Sequence, residues 1–122
     1  MYDFEYVKPA SVADAVAALK VEDSQPISGG QTLIPTLKQR LARPSKLVDL
    51  TKIAELKGIE VSGDSVLVKG ATPHVMVERS AEVKAKIPAL AELAGHIGDP
   101  QVRNRGTIGG SVANDDPAAC YP

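Results

Sequence analysis

The sequence predicts an α+β fold, with a small βαβ lobe over residues 1–55 followed by the beginning of a second lobe of hairpin and helices over residues 56–122. Three observations carry that expectation. Over the first fifty residues, short apolar runs alternate with helical spacing in the order β-α-β, which suggests a small parallel sheet. Two alternating runs then flank Ser62-Gly63-Asp64, the turn chemistry of an antiparallel hairpin. After the hairpin come helices punctuated by Pro and Gly, with one more extended stretch expected around Gly106 to Ala113.

Each element follows from local chemistry. Ser11 offers its hydroxyl to an orphan amide and Asp14 suits the positive end of a helix. Val12, Ala15, Val16 and Leu19 recur at helical spacing, so a helix is expected from Val12 to Lys20. Pro26-Ile27-Ser28 reads as a brief strand running into Gly29-Gly30. A second helix begins near Thr32, because Pro35 is tolerated in a first turn where its missing amide hydrogen would have no partner. Lys38, Arg40 and Arg43 sit at its negative end, and Pro44 stops it. Lys46 to Leu50 reads as a buried strand. Thr72-Pro73 has the form of a helix start, with Thr as cap and Pro first, and Pro88 to Leu93 supports another helix ended by Gly95. A two- or three-stranded sheet in the second lobe is marginal alone, so the chain is expected to be a fragment or to complete that sheet with another chain.

Composition narrows the class. A length of 122 residues suffices for one compact domain or part of a larger one. Hydrophobic residues at 43% and charged residues at 24% exclude a disordered chain and a disulfide scaffold. The 14 Lys and Arg against 15 Asp and Glu leave a net charge of -1, which argues against a nucleic-acid partner gripped by bulk positive charge. The single cysteine, Cys120, cannot form an internal disulfide, and no apolar run approaches the ~20 residues of a membrane span. Met-Tyr-Asp-Phe-Glu-Tyr has neither the basic nor the apolar region of a secretory signal, so a cytoplasmic setting is expected. With three Tyr, one Phe and no Trp, a flat ligand would be held by backbone and small side chains, or by aromatic residues from outside the chain.

Two glycine segments are the candidates for chemistry. Ser28-Gly29-Gly30-Gln31-Thr32-Leu33 places a glycine pair between a strand and a helix, where backbone can approach a ligand closely and unpaired amides can meet an anion such as a diphosphate. Its spacing matches neither a phosphate-binding P-loop nor a Rossmann fingerprint, and a purely structural turn is the competing reading. The second segment, Asn104 to Pro117, sets hydroxyls, amides and carboxylates around Gly106, Gly109 and Gly110. Small donors on a glycine backbone suit a polyol or diphosphate, and a carboxylate could accept from ribose or ribityl hydroxyls. A long surface turn with an Asx cap at Asn114 to Asp116 is the alternative. His74 and His96 have no neighbouring Cys or His, so no metal site is expected. Nothing near Cys120 marks it as a nucleophile, and Arg103 and Arg105 read as turn charges.

Together the two segments resemble those of the FAD-binding (medium) subunits of molybdenum hydroxylases, the family of the carbon monoxide dehydrogenase and xanthine dehydrogenase flavin domains. The resemblance rests on Ser28-Gly29-Gly30-Gln31-Thr32-Leu33-Ile34-Pro35 and, some seventy residues later, Asp99 to Asn114. Phe4 to Ser11 and Leu47-Val48-Asp49-Leu50 also match the family's run. It implies a PCMH-type, vanillyl-alcohol-oxidase-like FAD-binding fold, of which this chain would be a truncated portion. It also implies FAD as cofactor, with the diphosphate cradled by Ser28, Gly29, Gly30, Gln31, Thr32 and Leu33. Thr107, Gly109, Gly110, Ser111, Asn114 and Asp116 would meet the rest of the cofactor, with Ile97 a further candidate. No catalytic acid or base is implied, since the cofactor carries the redox chemistry. Two positions depart from the family pattern: Ser111 stands where Asn is frequent, and Cys120 where Asp is frequent. The implied role is an electron-transfer component between iron–sulfur clusters and an external acceptor. Its partners would be a molybdopterin-containing large subunit and a [2Fe-2S] small subunit, with a homodimer also expected. The residues alone leave two other functions open, a non-catalytic anion- or nucleotide-binding or assembly module and a stand-alone flavoenzyme.

Overall fold

The computed structural model describes residues 1–121, so Pro122, the last residue of the expected second lobe, lies outside the described residues. The first fifty residues form a parallel sheet of three strands, β1 (Glu5–Val7), β2 (Ser24–Ile27) and β3 (Lys46–Asp49), connected by helices α1 (Val12–Ala18) and α2 (Leu33–Lys38). The spatial order is β1-β3-β2, with Tyr6 opposite Leu47 on one side of β3 and Pro26 opposite Val48 on the other. Central position explains composition: Leu47, Val48 and Asp49 are all buried, whereas the flanking strands are largely exposed.

The sequence reading misses β1, whose three residues are too few to show alternation. It places α1 correctly: the Ser11 hydroxyl accepts the Asp14 amide at 3.1 Å, a cap that contributes about 1 kcal/mol. Val12, Ala15, Ala18 and Leu19 of this helical run pack with Val7, Val48 and Ile53. The chain crosses the sheet through α1 and returns through α2, so right-handed connections put the two helices on opposite faces. Val48 faces α1, and alternation turns Leu47 and Asp49 to the other face. At the amino edge Ser45 knits three segments together. Its amide donates to the Asp23 carbonyl at 3.0 Å, its hydroxyl donates to the Glu22 carbonyl at 2.6 Å, and its own carbonyl accepts the Glu5 amide at 2.9 Å.

A 3-10 turn at Ala54–Leu56 leads to the hairpin of β4 (Ile59–Ser62) and β5 (Ser65–Val68), which turns at Gly63 with φ +56°. Five helices follow: α3 (His74–Arg79), α4 (Ala81–Lys86), α5 (Pro88–His96), α6 (Pro100–Arg105) and α7 (Ile108–Asn114). Val77, Val83, Ala91 and Ala94 form a second core against Ile59, Val66, Val68 and Leu90.

Three expectations are corrected here. Thr72 does not cap α3; Pro73 holds that position, and the fully buried Thr72 hydroxyl both accepts the Gly58 amide and donates to the Gly58 carbonyl, each at 2.9 Å. Gly95 does not end α5, which runs through it to His96, beside the Glu78 side chain. The stretch from Gly106 to Ala113 is not extended over most of its length but helical from Ile108 onward. Glycines at 109 and 110 disfavour a helix by about 1 kcal/mol each, and tertiary packing overrides that preference. The Thr107 hydroxyl caps α7 by accepting the Gly110 amide, and Gly109 lies against Gly70, where no larger residue fits.

Candidate functional site

The two glycine segments meet. Ser28 follows β2 at the carboxyl edge of the sheet, and Thr107 ends the loop between α6 and α7; their hydroxyls lie 3.3 Å apart across 79 residues of sequence. The backbones approach as closely. A Cβ on Gly29 would stand 2.6 Å from Gly106 Cα, and one on Gly109 would stand 2.5 Å from the Gly70 carbonyl oxygen. Gly30 has a different reason to be glycine, a left-handed φ of +72° at the turn into α2.

The two segments differ in what they leave free. Among the described residues, the backbone amides of Gly30, Gln31, Thr32 and Leu33 find no acceptor, while the Gly30 carbonyl accepts the Ile34 amide at 3.0 Å. Thr32 occupies the cap position of α2 without capping it, and Gln31 turns its amide nitrogen back to the Gly29 carbonyl at 3.0 Å. In the second segment the amides that open α7 are already engaged. Ile108 donates to Thr72 O at 3.2 Å, Gly109 to Gly70 O at 2.9 Å and Gly110 to Thr107 Oγ1 at 3.1 Å. The first segment can therefore offer main-chain donors to an anion, and the second offers side chains.

The remaining candidates spread out. Ser111 sits one turn into α7, half-buried. Asn114 is at the far end of that helix, roughly 10 Å from Thr107 at 1.5 Å per residue, and is exposed. Asp116 lies beyond a left-handed Asp115, and its carboxylate accepts the Ala118 amide at 2.9 Å, the expected Asx turn. Ile97 is buried at the end of α5, and its carbonyl accepts from Arg103 Nη1 at 3.2 Å. The structure thus joins Ser28 to Thr107 and Gly29 to Gly106, and sets Asn114 a helix length from Thr107. Two open surface clefts, beside His96 and beside Met76, include none of these residues.

Sequence reading overlooks a polar cluster at the same edge of the sheet. Asp49, opposite Ile27 in register, accepts from the Tyr6 hydroxyl, lies 2.9 Å from Lys8 Nζ and accepts the Thr51 amide at 2.8 Å. Burial alone would raise its pKa, but these partners outweigh burial and hold it at about 2. The Asp49 hydrogen bond in turn raises both Tyr6 and Lys8. No motif spacing links residues 6, 8 and 49; only the unread β1 does. Behind the joint, His74 Nδ1 is 2.8 Å from the Tyr121 hydroxyl, and its ring stands so close to Gly106 that a Cβ there would meet Nε2 at 2.8 Å. Burial lowers the His74 pKa and raises that of Tyr121 to about 12. Cys120 is exposed, and no group of three metal-ligating side chains occurs among the described residues.

Comparison with known proteins identifies the family. A family model described as the FAD binding domain in molybdopterin dehydrogenase matches residues 2–122. The carbon monoxide dehydrogenase medium chain of Hydrogenophaga pseudoflava is 44% identical over 121 residues, covering 98% of this chain and 42% of that one. The nicotine 6-hydroxylase medium subunit of Paenarthrobacter nicotinovorans is 42% identical, covering 96% and 42%. The solved structure of carbon monoxide dehydrogenase from Hydrogenophaga pseudoflava lacking the Mo-pyranopterin moiety superposes with a TM-score of 0.92 at 45% identity, covering 95% of this chain and 41% of that one. The chain thus spans about two fifths of the length of the relatives it matches.

Proposed function

Because the chain belongs to the family of FAD-binding domains of molybdopterin dehydrogenases, we propose that it holds FAD for an oxidoreductase of the molybdenum hydroxylase class. In this reading it serves as the electron-transfer component between iron–sulfur clusters and an external acceptor. The observation that carries it is the run of acceptor-free amides from Gly30 to Leu33 at the carboxyl edge of a parallel sheet, where open α/β sheets bind their ligands.

The residues present fit the cofactor. Gly29 lets the loop pack against the Arg105–Gly106 backbone, Gly30 turns it into α2, and the amides of residues 30–33 supply donors for a diphosphate. Ser28 adds a hydroxyl, and Gln31, Ser111, Asn114 and Asp116 add amide, hydroxyl and carboxylate groups for hydroxyl-rich parts of the ligand. When bound, FAD supplies the electron-carrying chemistry; this chain's residues bind and orient it. Its partners in this reading are a molybdopterin-containing large subunit and a [2Fe-2S] small subunit, in a cytoplasmic setting. The relatives act on substrates as different as those their names give, carbon monoxide and nicotine, so the substrate is set outside this chain.

A second reading is favoured by one observation: Gly29 and Gly109 are each required by contact with neighbouring backbone, so a glycine loop here need not signal a ligand. Titration with FAD, followed by quenching of flavin fluorescence, separates the two. Saturable binding that ADP displaces supports the flavin reading, and absence of binding overturns it.

A further inference from the structure

We propose that Thr107 aims Ser28 at the cofactor through a one-way relay of hydroxyls. The Gly110 amide donates to Thr107 Oγ1, Thr107 donates to Ser28 Oγ, and Ser28 gives its own hydrogen to an oxygen of the FAD diphosphate. The inference rests on the flavin-binding reading above and specifies which group of the ligand Ser28 recognises.

Each direction in the relay follows from counting hydrogens. Thr107 is 4% exposed, its oxygen receives the Gly110 amide at 3.1 Å, and its single hydrogen has one acceptor among the described residues, Ser28 Oγ at 3.3 Å. Were Ser28 instead to donate inward, the Thr107 hydrogen would be stranded in the interior without an acceptor. The interior therefore dictates that Ser28 receives from Thr107. Its own hydrogen is then free, and it is only half-buried, at the mouth of the loop. At 3.3 Å the pair is long for two hydroxyls, so it orients Ser28 more than it holds it. The neighbouring groups with unspent capacity, the amides of Gly30 to Leu33, are donors as well. A run of four such donors beside a free hydroxyl suits an acceptor-only partner such as a phosphate oxygen better than an aromatic ring. Ser28 is thus a binding residue and Thr107 a positioning residue that acts through it.

Dissociation constants for FAD, ADP and riboflavin, measured on the full chain by fluorescence and calorimetry, test this directly, because ADP carries the diphosphate and riboflavin does not. Ser28→Ala should weaken FAD and ADP about tenfold, the usual loss for a hydrogen bond to a charged group, and leave riboflavin unchanged. Thr107→Val should produce a smaller loss of the same kind, Thr107→Ser should restore binding, and Ser28→Ala with Thr107→Val should be no weaker than Ser28→Ala alone. Ser28→Ala keeps the test decisive if Thr107→Val fails to fold. FAD and ADP affinities within twofold of wild type for Ser28→Ala, or an equal loss for riboflavin, overturn the relay alone. A wild-type chain that binds none of the three overturns the flavin reading and the relay with it.

Discussion

Gly29 lies flat against the carbonyl oxygen of Arg105, 2.3 Å from where a Cβ would stand. The contact is backbone to backbone, so neither side can rotate away. Gly29→Ala should therefore destabilise the fold by about 1–3 kcal/mol or more, as overpacking does. Gly110→Ala should cost far less, because its Cβ meets only the Thr107 hydroxyl, at 2.9 Å, and alanine is the better helix former by about 1 kcal/mol. Urea midpoints of the two variants should differ clearly, with Gly29→Ala the lower.

Thr72→Val keeps the shape of a fully buried side chain and removes its hydroxyl. The amide of Gly58 then loses its partner, while its carbonyl keeps the Lys69 amide at 3.0 Å. A loss of about 1–3 kcal/mol in urea unfolding is expected, against little change for Thr72→Ser, since one unsatisfied buried group costs about 1–3 kcal/mol.

Asp49 governs stability in acid. Its folded pKa of about 2 lies below its ordinary value of 3.8, so as pH falls the unfolded chain takes up the proton first. The stabilisation is complete above about pH 4 and is lost as pH drops toward 2. Lys8 is partly exposed and its pairing is screened, so the amount is on the order of 1 kcal/mol. Thermal unfolding of Asp49→Asn should show a flatter slope between pH 4 and 2 than wild type.

His74 acts in a higher window. Burial lowers its pKa below 6.5, so the unfolded chain again binds the proton first, and stability should decline as pH falls below about 6.5. His74→Gln should abolish that limb of the melting-temperature profile while keeping the acid limb set by Asp49.

Local chemistry made much of this molecule legible. The Ser11 cap, the Gly63 turn and the apolar run of β3 all act within a few residues, and each was readable. What stayed hidden depends on distant partners. Glu5-Tyr6-Val7 becomes a strand only because β3 lies beside it, and Asp49 becomes a buried anion only because that strand delivers Tyr6 and Lys8. Ile108 to Asn114 forms a helix against its glycine content because Gly70 and Thr107 hold its first turn. At the site, the glycine segments were visible as motifs. Their contact at Ser28 and Thr107, and the difference between free and spent amides, required the fold.

The order β1-β3-β2 carries a consequence for how the sheet comes into being. The two outer strands are made first and share no hydrogen bonds with each other; the strand that joins them is the last of the three to leave the ribosome. Nothing of the sheet can persist until Asp49 has been synthesised, and then both ladders close around one inserted segment. Assembly of the first half is therefore all-or-none, and the loop after β2 gains its fixed position in that same event.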